Sequence, residues 1–180
     1  MSPMNRNPGW LGPMLVLSLL SSVGALAAWT AQGTGQASFK ATGPAGFKIV
    51  GVSKTVDIKD DGKMLTVTVK LADIDTDNSL RDRHMLDDLE ATKFPSCSLS
   101  VALEGLKEGA TGAEGKGTFS IHGKTKDIPF KYTSKCNAEV CDVEGSAELN
   151  LKDYEVKIRS YLGITVKPEV MVSTKFQVKK

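Results

Sequence analysis

The chain has 180 residues, of which 23 are lysine or arginine and 21 are aspartate or glutamate, so its formal net charge at pH 7 is +2. A near-neutral surface of mixed sign lacks the basic footprint that nucleic acid requires, and we expect no nucleic-acid partner. The two histidines lie far apart and the three cysteines contain no CxxC pair. This composition predicts no metal site and no cofactor.

The first 27 residues have the layout of a secretory signal peptide. One basic side chain, Arg6, precedes the apolar segment Met14–Leu20, and small residues follow up to Ala25-Leu26-Ala27. The apolar segment would enter the membrane as a helix, and the peptidase accepts only small side chains just before the cut. We expect cleavage near Ala27, a mature domain of residues 28–180 and no membrane span after cleavage. A retained anchor is the alternative, because the apolar segment with its flanks is almost long enough to span a bilayer.

Export would place the cysteines in an oxidising compartment, where disulfides can form. Cys136 and Cys141 bracket a short loop that can close as a hairpin, and we predict a disulfide between them. Cys97 is then left over. It is in phase with the apolar residues of its segment, which indicates a small buried hydrophobe rather than a reactive thiol.

Alternating apolar and polar residues, the pattern of a strand with one buried face, recur along the remainder of the chain. The pattern covers residues 47–59, 65–71, 99–103, 118–122, 127–133, 143–152 and 170–179. One helix is expected from Ser79 to about Thr92, with Asn78 or Ser79 as its cap, and Pro95 opens the strand that follows.

These seven or eight strands predict an all-β fold, an eight-stranded antiparallel barrel with one short helix, because closure buries the apolar faces and removes exposed edges. A membrane barrel shows the same alternation turned outward. Aromatic residues make up only 6% of the chain and form no girdles, which favours the water-soluble form. Periodicity alone does not decide whether side chains fill the lumen or a small ligand occupies it.

Several blocks of the sequence resemble those of a known family. Residues 74–85, followed by Lys93-Phe94-Pro95, are similar to the T-x-x-x-L-R-D-x-H-M … K-Y-P block of the YceI-like family, and residues 117–126 to its G-x-L-T-I-H-G-x-T-K block. Residues 43–47 and 151–154 resemble further blocks in the same order. The resemblance implies a lipocalin-like barrel in the bacterial periplasm, with an elongated apolar pocket for a polyisoprenoid or a similar long lipid.

On this basis we expect a protein that carries or sequesters a long apolar molecule in the lumen, a polyisoprenoid, a quinone-like molecule or an acyl chain, and that is not an enzyme. Burial of the tail would drive binding, at about 0.8 kcal/mol per methylene. The predicted lining is the apolar face of the strands: Phe47, Leu65, Val67, Val69, Leu99, Val101, Phe119, Ile121, Phe130, Val143, Leu149, Val172 and Phe176. The sequence leaves a homodimer open.

The densest polar cluster lies at the start of the predicted helix. Arg81, Arg83 and His84 are the expected contacts of a polar or phosphorylated head group, through charge-assisted hydrogen bonds. The structural alternative is that Asp82 favours the helix N-terminus while Arg81 ties the helix to a strand end.

Two other functional classes remain open from the sequence. One is an enzyme or accessory factor in lipid or quinone metabolism, with Asp82 and His84 as an acid–base pair. The other is a packed barrel that acts through a protein partner. The second histidine, His122, precedes a glycine-containing turn, and we expect its imidazole to fix that turn.

Overall fold

The computed structural model describes residues 30–161 and 164–179, in which a curled antiparallel sheet accompanies one α-helix, α1 (Ser79–Asp88). The predicted signal peptide lies outside the described residues. The strands, in chain order, are β1 (Thr30–Thr42), β2 (Lys48–Ser53), β3 (Asp57–Asp60), β4 (Met64–Lys70), β5 (Ser96–Ala102), β6 (Ala113–Ile121), β7 (Lys124–Cys136), β8 (Val140–Asn150), β9 (Ser160–Tyr161), β10 (Ile164–Thr165) and β11 (Glu169–Lys179).

Nine strands form the main sheet in the order β2-β1-β11-β8-β7-β6-β5-β4-β3, while β9 and β10 form a separate hairpin. The two end strands, β2 and β3, are consecutive in the sequence, so the sheet must curl to bring its ends together. Strand β1, the neighbour of β2, comes close to the start of β3, because a Cβ atom at Gly35 would lie 2.9 Å from the Cβ of Val56, the residue before β3.

The predicted barrel class is confirmed, but the sheet has nine strands rather than eight. The alternation over residues 47–59 predicts one strand, which the structure interrupts after Ser53. Its hydroxyl accepts a hydrogen bond from the amide of Thr55 (3.2 Å) and donates one to the carbonyl of Thr55 (2.9 Å). This turn divides the strand, so that β2 pairs with β1 and β3 pairs with β4.

The alternation predicted from the sequence places one face of each long strand inside the curled sheet. In β4, Leu65, Val67 and Val69 are buried, whereas Thr66 and Thr68 between them remain partly accessible. The same phase holds along β6, β7 and β8. The apolar core therefore lines the interior of the sheet.

Helix α1 lies at the end of the barrel where β4 ends and β5 begins, which we call the α1 end. The side chain of Asn78 caps it by accepting a hydrogen bond from the amide of Arg81 (3.0 Å). The helix ends at Asp88, before the predicted Thr92, because Glu90 adopts a left-handed conformation (φ +47°). The opposite end of the barrel carries the β7–β8 turn.

His122 fixes the turn between β6 and β7, as expected. His122 and Gly123 both have positive φ (53° and 69°), the conformation of a tight two-residue hairpin. The imidazole Nδ1 lies 2.9 Å from the carbonyl of Tyr154, and since a carbonyl only accepts, Nδ1 carries the proton. The ring also packs edge-on against Phe94. His122 thus joins the turn to two neighbouring segments at the α1 end.

Candidate ligand-binding cavity

The curled sheet encloses a cavity of about 460 Å³, within the usual size range of small-molecule sites. Its walls come from the inward faces of β1, β2, β4, β5, β6, β7, β8 and β11. Twelve of the thirteen predicted lining residues surround it: Leu65, Val67, Val69, Leu99, Val101, Phe119, Ile121, Phe130, Val143, Leu149, Val172 and Phe176. The structure thus gathers these residues around one space, and a ligand within it stays a prediction.

Phe47 is the exception, and its prediction as a lining residue is wrong. Its side chain is 58% exposed and lies outside the cavity. Alternation places it in phase with Ile49 and Gly51, which do line the cavity. However, β2 begins only at Lys48, and positive φ angles at Ala45 and Gly46 turn the preceding chain away. The Phe47 ring instead lies against the guanidinium of Arg81, at 5.6 Å from its centroid.

Part of the wall was not predicted from the sequence. Ala37, Phe39 and Ala41 of β1 line the cavity, and so do Ile128 and Ala147 on strands whose other members were predicted. The β1 segment begins Thr-Ala-Gln-Gly-Thr-Gly, with no large apolar residue to produce an alternating pattern. The only available signal was the short Ala37–Ala41 stretch.

Glycines show where the interior is filled and where it is open. A Cβ atom at Gly51 would meet the ring of Phe39 at 2.2 Å, and one at Gly115 would meet the ring of Phe130 at 2.5 Å. These rings therefore occupy the space that the glycines leave. At Gly145 a Cβ atom would have no neighbour nearer than 3.7 Å. Because Gly145 also lines the cavity, the lumen is open at this part of β8.

Cys97, the free cysteine in the described part of the chain, lies on the cavity wall. Burial raises the pKa of the Cys97 thiol to about 11, because the low-dielectric surroundings disfavour the thiolate. The thiol is therefore protonated at neutral pH and unreactive. Cys97 packs against the apolar core as a small hydrophobe, but it is only partly buried rather than fully buried as predicted.

Helix α1 presents one stripe to the cavity. Arg81, His84, Met85 and Asp88, at helical spacings of three and four, all line it. Two of the three predicted head-group residues, Arg81 and His84, are thus at the cavity. Arg83 is not. It lies on the other face of the helix, exposed to solvent, so its prediction as a contact is wrong.

The same helical geometry separates Asp82 from His84. Residues two apart on a helix point in different directions. Asp82 does not line the cavity, and its carboxylate accepts hydrogen bonds from the hydroxyl (2.6 Å) and the amide (3.1 Å) of Thr76. Asp82 therefore ties Thr76, in the segment before the helix, to the first turn of α1. The structure does not bring Asp82 and His84 together as an acid–base pair.

The segment after β8 supplies two charged cavity residues that were not predicted from the sequence, Lys157 and Arg159, together with the apolar Val156 and Ile158. The Arg159 Nε donates to Asp88 Oδ2, and its terminal nitrogen donates to the carbonyl of His84 (3.4 Å). Arg159 thus connects this segment to the last turn of α1. These contacts join residues that are 71 and 75 positions apart in the sequence, so no local sequence pattern predicts them.

The chain reaches Lys157 and Arg159 through a tight turn at Glu155. This residue has a left-handed conformation (φ +56°), which glycine adopts more readily than glutamate. The Nζ of Lys124 lies 2.9 Å from the Glu155 carboxylate, and this hydrogen bond holds the pKa of Glu155 below its usual value. The ion pair fastens the turn to the start of β7.

The opposite end contains the predicted disulfide, between Cys136 and Cys141. These residues face each other across the β7–β8 hairpin, with Cα atoms 4.0 Å apart. The side chain of Asn137 accepts hydrogen bonds from the amides of Glu139 and Val140 and so shapes the turn. Cys141 is fully buried, so the disulfide belongs to the apolar packing at this end.

Within the described residues, no group of three or more His, Cys, Asp or Glu side chains could hold a metal ion. In the same part of the chain, no helix has the length and apolar character to cross a membrane.

An antiparallel sheet curled around an apolar cavity defines the class of β-barrels that can hold a small ligand in the interior. The chain belongs to the YceI-like family, because the family model described as YceI-like domain matches residues 26–178. No curated protein matches the chain in sequence.

Solved structures with a similar fold include three from bacteria. A polyisoprenoid binding domain from Saccharophagus degradans implicated in plant cell wall breakdown is 13% identical, with a TM-score of 0.66 over 84% of this chain and 97% of that chain. Burkholderia cenocepacia BcnA is 16% identical, with a TM-score of 0.63 over 79% and 95%. A Campylobacter jejuni YCEI protein is 18% identical, with a TM-score of 0.50 over 100% and 99%. At these identities the likeness shows the fold.

Proposed function

We propose that this protein binds a long apolar lipid chain, a polyisoprenoid, a quinone-like tail or an acyl chain, inside the barrel and carries or sequesters it. The observation that carries the proposal is the cavity of about 460 Å³ with an almost wholly apolar wall along the barrel. Withdrawal of methylene groups from water onto such a wall is favourable by about 0.8 kcal/mol each before losses. The polyisoprenoid-binding description of the Saccharophagus degradans domain supports the same ligand class.

Binding without chemical conversion fits the groups at the cavity. The acid–base alternative required Asp82 and His84 together, whereas Asp82 does not line the cavity and accepts its hydrogen bonds from Thr76. The Cys97 thiol, with its raised pKa, is a poor nucleophile at neutral pH. These arrangements support a carrier in preference to an enzyme of lipid or quinone metabolism.

We propose further that the protein is exported to the periplasm and that its mature form begins near Ala28. The signal-peptide layout of residues 1–27 and the pairing of Cys136 with Cys141 support this location. The intact mass of exported protein tests it. A mass that begins near Ala28 is expected, and a mass that still includes residues 1–20 would contradict the proposal.

Gly145→Leu tests the binding site itself. The new side chain enters the open part of the cavity, and a Cβ atom there meets nothing closer than 3.7 Å, so we expect the fold to survive. Glu148→Leu is the matched control, since it adds the same side chain to the exposed face of the same strand. Polyprenol binding, followed by native mass spectrometry, should fall at least about tenfold in Gly145→Leu and stay unchanged in the control.

Equal polyprenol binding by Gly145→Leu and wild type would place the lipid outside the cavity and contradict the proposal. Circular dichroism and thermal melting of both variants show whether the sheet is intact. The protein-partner alternative would be favoured instead if the wild-type protein bound neither polyprenol nor an acyl chain and if neither ligand changed its melting temperature.

A further inference from the structure

The charged lining of the cavity is concentrated at the α1 end. Arg81, Lys157 and Arg159 supply three cations there, and Asp88 supplies the only carboxylate among the cavity-lining residues that the structure describes. The other charged lining residue, Lys107, lies at the opposite end. The α1 end therefore has an excess of positive charge on an otherwise apolar cavity.

Two of these three cations have no carboxylate partner. In the described parts of the chain, the salt bridges include Arg159 with Asp88 but none with Arg81 or Lys157. The guanidinium of Arg81 donates a long hydrogen bond (3.4 Å) to the carbonyl of Thr76 and lies on the Phe47 ring, which leaves donor positions unused. Lys157, which lines the cavity, is exposed to solvent.

The third cation is held by a carboxylate from the helix itself. Asp88 is the last residue of α1, and its side chain is mostly buried (15% exposed) where it meets Arg159. A ligand anion at this end would meet Arg159 as well as Arg81 and Lys157. It would also compete with Asp88 for the Arg159 guanidinium.

We propose that Arg81, Lys157 and Arg159 form an anion subsite at the α1 end of the cavity, which takes the carboxylate or phosphate head of a single-chain lipid whose tail lies in the barrel. This inference rests on the proposed function, because the tail must occupy the cavity for its head to reach the subsite. It fixes the polarity of the ligand, with the head at the α1 end and the tail towards the disulfide.

Chain-matched amphiphiles test the subsite: dodecanol, dodecanoate and dodecyl phosphate, each below its micellar concentration, with inorganic phosphate as a tail-free arm. Each competes at pH 7 against the neutral fluorescent probe N-phenyl-1-naphthylamine bound to the full mature chain. Charge-assisted hydrogen bonds predict that the two anionic chains displace the probe at concentrations about tenfold lower than dodecanol does. That advantage should shrink as salt is raised, because the rim is solvated.

Variants with opposite expected directions separate the subsite from a general charge effect. Lys157→Gln and Arg81→Gln should each weaken dodecanoate binding severalfold more than dodecanol binding, and so reduce the preference for the anion. Asp88→Asn should increase the preference, because it removes the carboxylate that competes for Arg159. Arg83→Gln removes one positive charge from the far face of the same helix and should leave the preference as it is in wild type.

The failures are distinguishable. If all three chains displace the probe equally well, the subsite is wrong and the proposed lipid binding stands. If none displaces the probe, lipid binding and the subsite both fail. Competition by inorganic phosphate at the same concentration as dodecyl phosphate would identify a site for free anions and overturn the assignment to a lipid head. An equal loss of preference in Arg83→Gln and Lys157→Gln would also overturn it.

Discussion

The end opposite α1 holds apolar side chains and a disulfide, whereas the α1 end adds a helix, an ion pair and exposed cations to its own apolar packing. Cys141 and Val178 have no exposed surface, and Val143 and Phe176 are nearly as buried. At the α1 end the Asp88–Arg159 pair joins the helix to the segment after β8, and Arg159 remains 41% exposed.

The two kinds of contact differ in the free energy that is needed to separate them. Separation of packed apolar groups exposes their surface to water, at about 25 cal/mol per Å². A partly exposed ion pair contributes about 1 kcal/mol or less, because water solvates both charges when they part. The packed apolar groups at the opposite end therefore stabilise the fold more than the Asp88–Arg159 pair does, and at the α1 end the buried side chains of Leu71, Leu89 and Tyr154 supply the stability that the ion pair does not.

The largest expected effect is at the packed end. Phe176→Ala removes a buried ring and should lower the free energy of unfolding by about 3–5 kcal/mol, measured by urea titration. Met171→Ala on the exposed face of the same strand is the control and should cost less than about 1 kcal/mol. Equal costs for the two variants would mean that the opposite end is not a packed closure.

The disulfide should contribute less than the packed ring. Replacement of Cys136 and Cys141 by alanine should cost about 2 kcal/mol, the low end of the usual range, because the closed loop is short. Thiol titration of denatured, non-reduced wild type should find one free thiol per chain, from Cys97. Three free thiols would show that the pair does not form.

The ion pair at the α1 end should contribute least to stability. Arg159→Gln should lower the free energy of unfolding by less than about 1 kcal/mol, since the guanidinium is partly exposed. The same variant should release N-phenyl-1-naphthylamine faster in stopped-flow fluorescence, because the helix is less firmly held. A loss of stability as large as that of Phe176→Ala would remove the contrast between the two ends.

The Cys97 thiol can be used to probe the cavity in the wild-type protein, without any substitution. With its pKa raised to about 11, the thiol holds its proton to higher pH in the folded than in the unfolded chain. Its thiolate fraction at pH 8 should be lower by about two orders of magnitude than that of an ordinary cysteine, so alkylation should be correspondingly slow. The rate should rise with pH towards 11, and the folded state should lose stability as pH rises above about 9. Alkylation at the rate of the unfolded chain would contradict this burial.

The walls of the cavity were predictable because alternation is a local property of each strand. Leu65, Val67 and Val69 reveal their common face without knowledge of the partner strand. Phe47 was misassigned by the same rule, because phase says nothing about where a strand begins. Alternation also gives no warning that the turn at Ser53 divides a strand.

The polar end was less predictable, because it is built from segments distant in sequence. Arg81 and His84 were found from a dense cluster, but Arg83 was included with them because the helical face was not assigned. A helical count from Arg81 would have selected His84, Met85 and Asp88. Arg159 carries no such signal, since its role depends on the fold that brings it to Asp88.

Photoaffinity labelling tests the central claim, that a long apolar chain occupies the barrel, most directly. A polyprenol analogue with a diazirine near the middle of its chain would be irradiated with the mature protein, and the modified peptides identified by mass spectrometry. We expect labels on the inward residues of β5, β7 and β8, around Leu99, Phe130 and Ala147, and their loss in Gly145→Leu. Labels confined to the exposed apolar residues Phe47 and Leu80, or unchanged by Gly145→Leu, would show that the lipid binds the surface and that the cavity is not its site.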